Sequence, residues 1–483
     1  MPYIVDRENS KWEVVVGLEV HCQLKTQSKL FSRSSAEFGA EPNNHVSFFD
    51  CAMPGQLPVM NRFALEQAIK TGIGLNAEFN LVSTFDRKNY FYADLPSGYQ
   101  ITQFFLPIIK SGWLEIEDET KKRIRIREAH LEQDAGKSIH DQSPVYSLID
   151  LNRAGVTLLE IVSEPDMRSP GEAMEYLRKL RALLRSIETC DGNMDEGSMR
   201  CDANVSVRTV GNDVYGTRCE IKNINSIKNV GLAIEYEARR QVELIEAGDT
   251  VSQETRKYEA ESGITKTMRS KEDSIDYRYF PEPDLAPVII SRELIDEIGR
   301  LMPEMPEAKK ARYITDYSLT EYDVKVLTST REMSEYFEEL VSSHDPKLSA
   351  NWLTTELMGR LNRLGLPIEQ SPVGTGDLSE LLGLIENGTI SGKIAKDVLD
   401  NMLETGKTAG TIVEENGLRQ IVNVDDVNKI IDRVLAENPK QLEQYRSGNE
   451  RIFGFFVGQL MKLSDGRVNP QMANDLLREK LTK

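Results

Sequence analysis

The chain has 483 residues, room for about three domains at roughly 150 residues each. Its 59 Lys plus Arg against 77 Asp plus Glu give a formal charge of −18, which disfavours indiscriminate binding to nucleic acid or anionic membranes but leaves a local basic patch free to act. With 40% hydrophobic and 28% charged residues, and no apolar run near the roughly 20 residues that cross a bilayer, the sequence reads as a soluble globular protein.

The N-terminal MPYIVDRENSK has no apolar signal core, so the expected location is the cytoplasm. The five cysteines, Cys22, Cys51, Cys190, Cys201 and Cys219, are odd in number and nowhere spaced as CxxC. They read as reduced packing residues rather than a disulfide framework or a cysteine-only zinc site. The first predicted strand is WEVVVGLEVHCQL, Trp12 to Leu24. A two-residue period puts Val14, Val16, Leu18, Val20, Cys22 and Leu24 on a core face and Glu19, His21 and Gln23 on the other. The run from Asp86 to Pro107 then combines six aromatic residues with Arg87, Lys88 and three uncharged amides. It suits stacking on a base or on the terminal adenosine of an RNA, or a local core under a lid.

Further along, REAHLEQDAGK sets His130, Glu132 and Asp134 on a shared side if extended. Ser169, Pro170, Gly171 and Glu172 supply an N-cap, a first-turn proline and an N3 acid for a helix whose apolar face runs to Ile187. In RCDANVSVR, apolar Cys201, Ala203, Val205 and Val207 alternate with Arg200, Asp202, Asn204 and Ser206. RCEIKN repeats the split, with Cys219 and Ile221 against Arg218, Glu220 and Lys222. A second helix is expected from Ile227 to Ala247, stopped by Gly248. From about residue 295 the pattern becomes successive amphipathic helices, interrupted by a turn or linker at Gly365 to Asp377, with another boundary near Thr408 to Thr411. Residues 451–483 hold six basic and three acidic residues, a net of +3, so the terminal module suits an RNA foot as well as a small helical packing domain.

The polar strand faces together offer carboxylates, one imidazole and nearby cations, a set that suits a divalent ion bound to a phosphorylated ligand. Magnesium is the first choice if ATP is the substrate. Neither GxxxxGK[ST] nor a strand-to-helix GxGxxG is present, so ATP would be bound by another fold. The short Gly turns DAGK, NRAG and EGSMR carry adjacent cations and serve equally as phosphate contacts or ordinary tight turns.

Ten long motifs in order resemble the B-subunit family of the glutamyl/aspartyl-tRNA amidotransferases. They include GLEVHCQLKTQSKLF from Gly17, FGAEPNNHV from Phe38, MPGQLPVMN from Met53, DRKNYFYADLPSGYQI from Asp86, HLEQDAGKS from His130, DLNRAGVTLLEIVSEPDMRSP from Asp150, DEGSMRCDANVSVR from Asp195, EIKNINSIKNV from Glu220, MRSKEDSIDYRYFPEPDL from Met268 and YRSGNERIFGFFVGQLMK from Tyr445. The resemblance implies an α+β architecture: a cradle-shaped catalytic domain around antiparallel sheet at 1–294, a helical domain at 295–408 and a tRNA-binding helical tail at 409–483. It also implies ATP with Mg2+ as cofactors, two partners in the glutamine-hydrolysing amidase (the A subunit) and a small C subunit, and mischarged Glu-tRNA(Gln) and/or Asp-tRNA(Asn) as substrate. By the same resemblance Glu19, His21, Glu132 and Glu220 are the expected metal ligands. Asp202 and Asn204 would order metal or substrate, and Arg200, Arg218 and Lys222 would contact phosphate, while His130 is either a ligand or a donor behind one.

There are departures from the family. Where many members carry zinc-binding cysteines, this chain has Phe31, Ser32, Arg33, Ser34, Phe48, Phe49 and Asp50 with Cys51 alone remaining, so structural zinc is not expected. Ala93 and Thr157 replace common prolines, and Gln133 stands where a second acid is frequent. Two other classes remain open on the sequence: an RNA-binding assembly protein without chemistry, which would not need the polar strand faces, and a structural metal protein, which would need a closed Cys/His set.

Overall fold

The computed structural model describes residues 2–7, 10–118, 120–270, 276–421, 423–464 and 466–482. The 271–275 part of the Met268 motif lies outside them. The chain divides into two compact units, Met1–Pro306 and Glu307–Lys483.

The first unit is built from strands β1 (Ile4–Arg7), β2 (Ser10–Gln23), β3 (Glu78–Phe79), β4 (Val82–Ser83), β5 (Asp86–Asn89), β6 (Tyr99–Thr102), β7 (Ile109–Glu117), β8 (Lys121–Gln133), β9 (Lys137–Ile139), β10 (Leu148–Asp150), β11 (Thr157–Ser163), β12 (Met199–Thr209), β13 (Cys219–Ile224), β14 (Glu254–Glu259) and β15 (Ile264–Ser270). Its main helices are α1 (Arg62–Gly74), α2 (Pro170–Ser186), α3 (Ile227–Glu246) and α4 (Arg292–Arg300). The large sheet runs β15-β14-β13-β12-β2-β11-β8-β7-β3, with β1 beside β2. The expected antiparallel sheet is in fact mixed, because β13 and β14 pair in parallel. The cause is local: α3 lies between them in sequence, and a helical crossover returns the chain in the same direction.

The alternation read from the sequence is what divides the sheet into faces. Val14, Val16, Leu18, Val20 and Cys22 of β2 are fully buried together with Ala203, Val205, Ile221, Leu159 and Leu131. Onto them pack Tyr176, Leu177 and Leu180 of α2 and Val230, Ala233 and Ile234 of α3. The helices begin where the caps put them: Ser169 accepts from the Glu172 amide and Ser226 from the Asn229 amide. Glu172 also reaches back to accept from the Arg168 amide at 2.7 Å, so the first turn of α2 meets both of its neighbours' donors.

Behind this sheet a fully buried carboxylate, Glu237 of α3, ties the helix to the edge strands. It accepts from Arg240, from Gln241 Nε2 at 2.9 Å and from Thr265 Oγ1 at 2.8 Å, with Arg256 Nε 3.2 Å away. The long connection from β2 to α1 is closed by another buried pair: Lys29 Nζ donates to Asp50 Oδ2 at 3.1 Å, and Ser32 Oγ donates to the same oxygen at 3.2 Å. Burial lowers the Lys29 pKa and Asp50 partly restores it.

In the second unit, α5 (Pro306–Tyr317), α6 (Glu321–Leu327), α7 (Arg331–Val341), α8 (Pro346–Asn351), α9 (Met358–Leu364), α10 (Thr375–Glu386), α11 (Gly392–Thr405) and α12 (Ala409–Glu415) share one core. The helices α13 (Val424–Glu437), α14 (Pro439–Arg446), α15 (Phe453–Leu463) and α16 (Pro470–Thr482) surround another, centred on Val427, Ile431, Phe456 and Leu477. Apolar packing sets the edges of these cores: Leu294, Ile295 and Ile298 of α4 join the core of the first unit, and Ala409, Ile412 and Val413 of α12 join the middle one. The Gly365–Asp377 turn starts with Gly365 at φ +69 ending α9, makes a short 3-10 turn at Ile368–Gln370, and gives way to α10 at Thr375. No helix among the described residues is long and apolar enough to cross a membrane.

Candidate active site

The face of the large sheet opposite α2 and α3 carries the charged residues of β13, β12, β2, β11 and β8 in that spatial order. Register decides which of them meet. Glu160 on β11 lies directly opposite His21 on β2 and His130 on β8, while Asp202 on β12 lies opposite Glu19 and Arg200 opposite His21. Between β12 and β13 the register slips by one residue, and Asn223 takes φ +64 there, a left-handed conformation that asparagine tolerates. Before the slip, Lys222 continues the Ala203–Ile221 register and meets Asp202.

Two groups result. In one, His21 Nε2 is 3.4 Å from Glu160 Oε2 and 3.6 Å from Glu132 Oε1, and His130 Nε2 is 3.2 Å from Glu160 and 3.8 Å from Glu132. In the other, Glu19, Asp202 and Glu220 bring one carboxylate oxygen each within 4.8 Å of one another, the same spacing met by His21, Glu132 and Glu160. The four ligands expected from the resemblance thus divide two and two: His21 and Glu132 in the first group, Glu19 and Glu220 in the second. Glu19 and His21 share a face but stand two residues apart on one strand, about 7 Å along it, which is why they head separate groups.

The electrostatics follow from crowding. Burial pushes the His21 imidazole down, but Glu160 and Glu132 more than offset this and hold it at about 9. His130 is held at about 10 against burial by the same two carboxylates. Burial raises Glu160, yet the two imidazoles bring it well below the ordinary glutamate range. Glu19 is raised, by burial first and by repulsion from Glu160 and Glu220, against a 2.8 Å hydrogen bond donated by Asn204 Nδ2. Lys222 Nζ stands 2.5 Å from Asp202 and 2.7 Å from Glu220, an ammonium seated between the acids of the second group. Thr255 Oγ1 donates to the other oxygen of Glu220 at 2.9 Å.

Arg200 donates to Asp134 Oδ2 at 2.7 Å, and Gln23 Nε2 reaches the same oxygen at 3.2 Å. Two buried nitrogens at the site, Arg200 Nε and His130 Nδ1, have no hydrogen-bond partner among the described residues. Arg218 lies in the exposed segment before β13 and is not brought to either group. One residue escapes the sequence reading, and another is read only as part of the aromatic run. Glu160 is the lone charge in the otherwise apolar TLLEIVS, and such a charge is costly in a buried strand unless it is paired. Lys88 stands over Tyr277 at 5.0 Å and Tyr90 at 5.9 Å; burial lowers its pKa but Glu132, Tyr279 and Glu160 raise it overall. The aromatic run around it is mixed: Phe104 stacks on Tyr279 at 3.9 Å, whereas Phe91 and Tyr92 are exposed.

The donor set fits divalent cations. Each group offers carboxylate oxygens, the hard donors magnesium and manganese prefer, and the first adds one imidazole. The ammonium already seated in the second group shows that its carboxylates accommodate a positive charge between them.

Comparison with known proteins converges on one family. The GatB/GatE catalytic domain matches residues 14–296 and the GatB domain matches residues 335–481. The chain is 56% identical to the B subunit of the aspartyl/glutamyl-tRNA(Asn/Gln) amidotransferase of Rickettsia bellii over 483 residues, covering all of both chains. It is 55% identical to the protein of the same description from Rickettsia rickettsii, again over the full length of both. A third relative so described, from Wolbachia pipientis wMel, is 55% identical over 471 residues, 98% of this chain and 99% of its own. A two-domain match in the family's order and identity above one half across the whole length lead to one conclusion: the chain belongs to the family of aspartyl/glutamyl-tRNA amidotransferase B subunits.

Proposed function

We propose that this chain activates the side-chain carboxylate of glutamate or aspartate esterified to a tRNA, by ATP-dependent phosphorylation, so that ammonia can convert it to the amide. The observation that supports this most is the pair of acid groups side by side on one sheet face, flanked by Arg200, Lys222 and Lys88. A carboxylate resists attack by ammonia because its oxide is a poor leaving group. Its oxygen attacks the γ-phosphorus of ATP, ADP departs, and an acyl phosphate forms; ammonia then adds to the acyl carbon and inorganic phosphate leaves.

His21, Glu132 and Glu160 would hold one divalent cation and Glu19, Asp202 and Glu220 another. Bound there, such ions neutralise phosphate and carboxylate charge that would otherwise repel. Lys222 swings from the acids to a phosphate oxygen, Arg200 offers its unpartnered Nε–H to another, and Asn204 and Thr255 hold Glu19 and Glu220 in place. Lys88 lies among aromatic rings where water is scarce, and its charge suits the substrate carboxylate. No general base is required, since the attacking carboxylate is ionised at neutral pH.

The ammonia comes from a glutamine-hydrolysing amidase partner, the A subunit, joined through a small C subunit; the complex works in the cytoplasm. The helical residues 409–483 contact the tRNA away from its acceptor end. The decisive experiment incubates the complex with labelled ATP and each mischarged tRNA, without glutamine, and traps the acyl phosphate with hydroxylamine. Hydroxamate formed only with mischarged tRNA supports the reading; ATP left intact under these conditions refutes it.

A further inference from the structure

A pocket of about 550 Å3 opens where β2 runs out of the sheet. Its floor is apolar, from buried Leu24 and Val156. Phe38 and Phe63 stand on its walls 71% and 49% exposed, and neither ring has an aromatic or cationic partner among the described residues. A free aromatic face in a concave apolar site is what a nucleobase stacks on.

The pocket adjoins the acid groups along two strands. Gln23 and Ser198 line it, and each lies two residues along the chain from a site residue, His21 and Arg200 respectively, a step of about 7 Å. The Gln23 amide N is bonded to the Ser198 carbonyl at 2.7 Å, and Gln23 Nε2 joins Asp134 and through it Arg200. The polarity of the pocket sets a direction. The Gln27 amide offers a donor and an acceptor to a purine edge. Asp191 and Glu196 at the rim suit ribose hydroxyls and repel phosphates, which are then directed over Gln23 toward Arg200. A second pocket, of about 280 Å3, borders Asp134 from the other side, but its rings are engaged: Arg87 covers Tyr99 at 4.1 Å, and Phe49 packs edge-on to Phe31.

We propose that the larger pocket holds an adenosine stacked on Phe38 and Phe63, with its reactive end, the triphosphate of ATP or the aminoacyl ester of the tRNA, lying over Gln23 toward Arg200 and His21. The inference rests on the ATP-dependent activation proposed above and adds the place where the nucleoside is read.

The test uses the assembled complex with its amidase and small partner. Phe38→Ala, Phe63→Ala and the corresponding Phe→Tyr variants are assayed for equilibrium binding of a non-hydrolysable ATP analogue and of tRNA with and without its terminal adenosine. Each alanine variant is expected to weaken binding about ten-fold or more, with tyrosine restoring it to within about two-fold. Loss confined to the ATP analogue assigns the adenosine to ATP. Loss confined to tRNA, and abolished when the terminal adenosine is removed, assigns it to the tRNA. Unchanged affinity for both overturns the proposal. If the wild-type complex traps no acyl phosphate but still binds the analogue through these rings, the activation reading falls and the pocket stands.

Discussion

Two charged clusters lie on opposite faces of the same sheet, and they differ in completeness rather than in composition. Behind the sheet, Glu237, Arg240, Arg256 and Glu254 satisfy one another: the Arg256 guanidinium also donates to Thr265 and Thr267 and is only 7% exposed. In front, carboxylates crowd one another, Glu19 is pushed up by its like-charged neighbours, and Arg200 Nε and His130 Nδ1 have no acceptor among the described residues. The rear set pairs its charges within the protein, whereas the front set leaves charge that a bound ion or ligand would meet.

Disrupting the closed cluster should have the largest effect, and the effect should be on stability. Arg256→Ala removes one of the two guanidinium groups beside the buried Glu237 and leaves Glu254 without its nearest cation, and is expected to cost about 3 kcal/mol in urea unfolding of the first unit. A loss below about 1 kcal/mol would show that the cluster is dispensable. Disrupting the open set should act first on activity: Glu160→Gln is expected to lower acyl-phosphate formation about 100-fold or more while costing less stability than Arg256→Ala, because His21 and His130 keep Glu132. Comparable activity in this variant removes Glu160 from the site.

A finer distinction concerns Thr255, which touches only Glu220 at the site. Thr255→Val is expected to weaken divalent-cation affinity about ten-fold, with little change in the KM for tRNA. Isothermal titration with manganese reads this directly, and a wild-type isotherm would make the contact incidental. The same titration sharpens the first group: His21, held at about 9, is protonated at neutral pH, so a cation bound to its nitrogen must displace about one proton. The heat should therefore vary with the ionisation enthalpy of the buffer, and buffer-independent heat would exclude His21 as a ligand.

The smallest expected effect is the acid response of the closed cluster. Burial raises Glu237, but Arg240 and its other donors bring the net pKa below the ordinary glutamate value. Its contribution is therefore present above that ordinary value and is lost as pH falls through the lowered one. Glu237→Gln should flatten this part of the acid unfolding curve, and an unaltered curve would place the acid sensitivity elsewhere.

Much of this arrangement is legible in the sequence, for identifiable reasons. Strict alternation in β2, β12 and β13 announces both faces of the central strands, and Ser169 and Ser226 mark helix starts because their hydroxyls replace missing backbone acceptors. What alternation lacks is register. Nothing in a single strand says that Glu160 will face both His21 and His130, or that the pairing of β12 with β13 will seat Lys222 between two acids. The parallel pairing of β13 with β14 is hidden in the same way, since it depends on where α3 sets the chain down.

The Lys29–Asp50 pair has a consequence for how the protein withstands its surroundings. An ammonium and a carboxylate close the loop between β2 and α1, and neither forms disulfides nor releases a metal to a chelator. Peroxide and thiol reagents find no sulfur in that closure to attack.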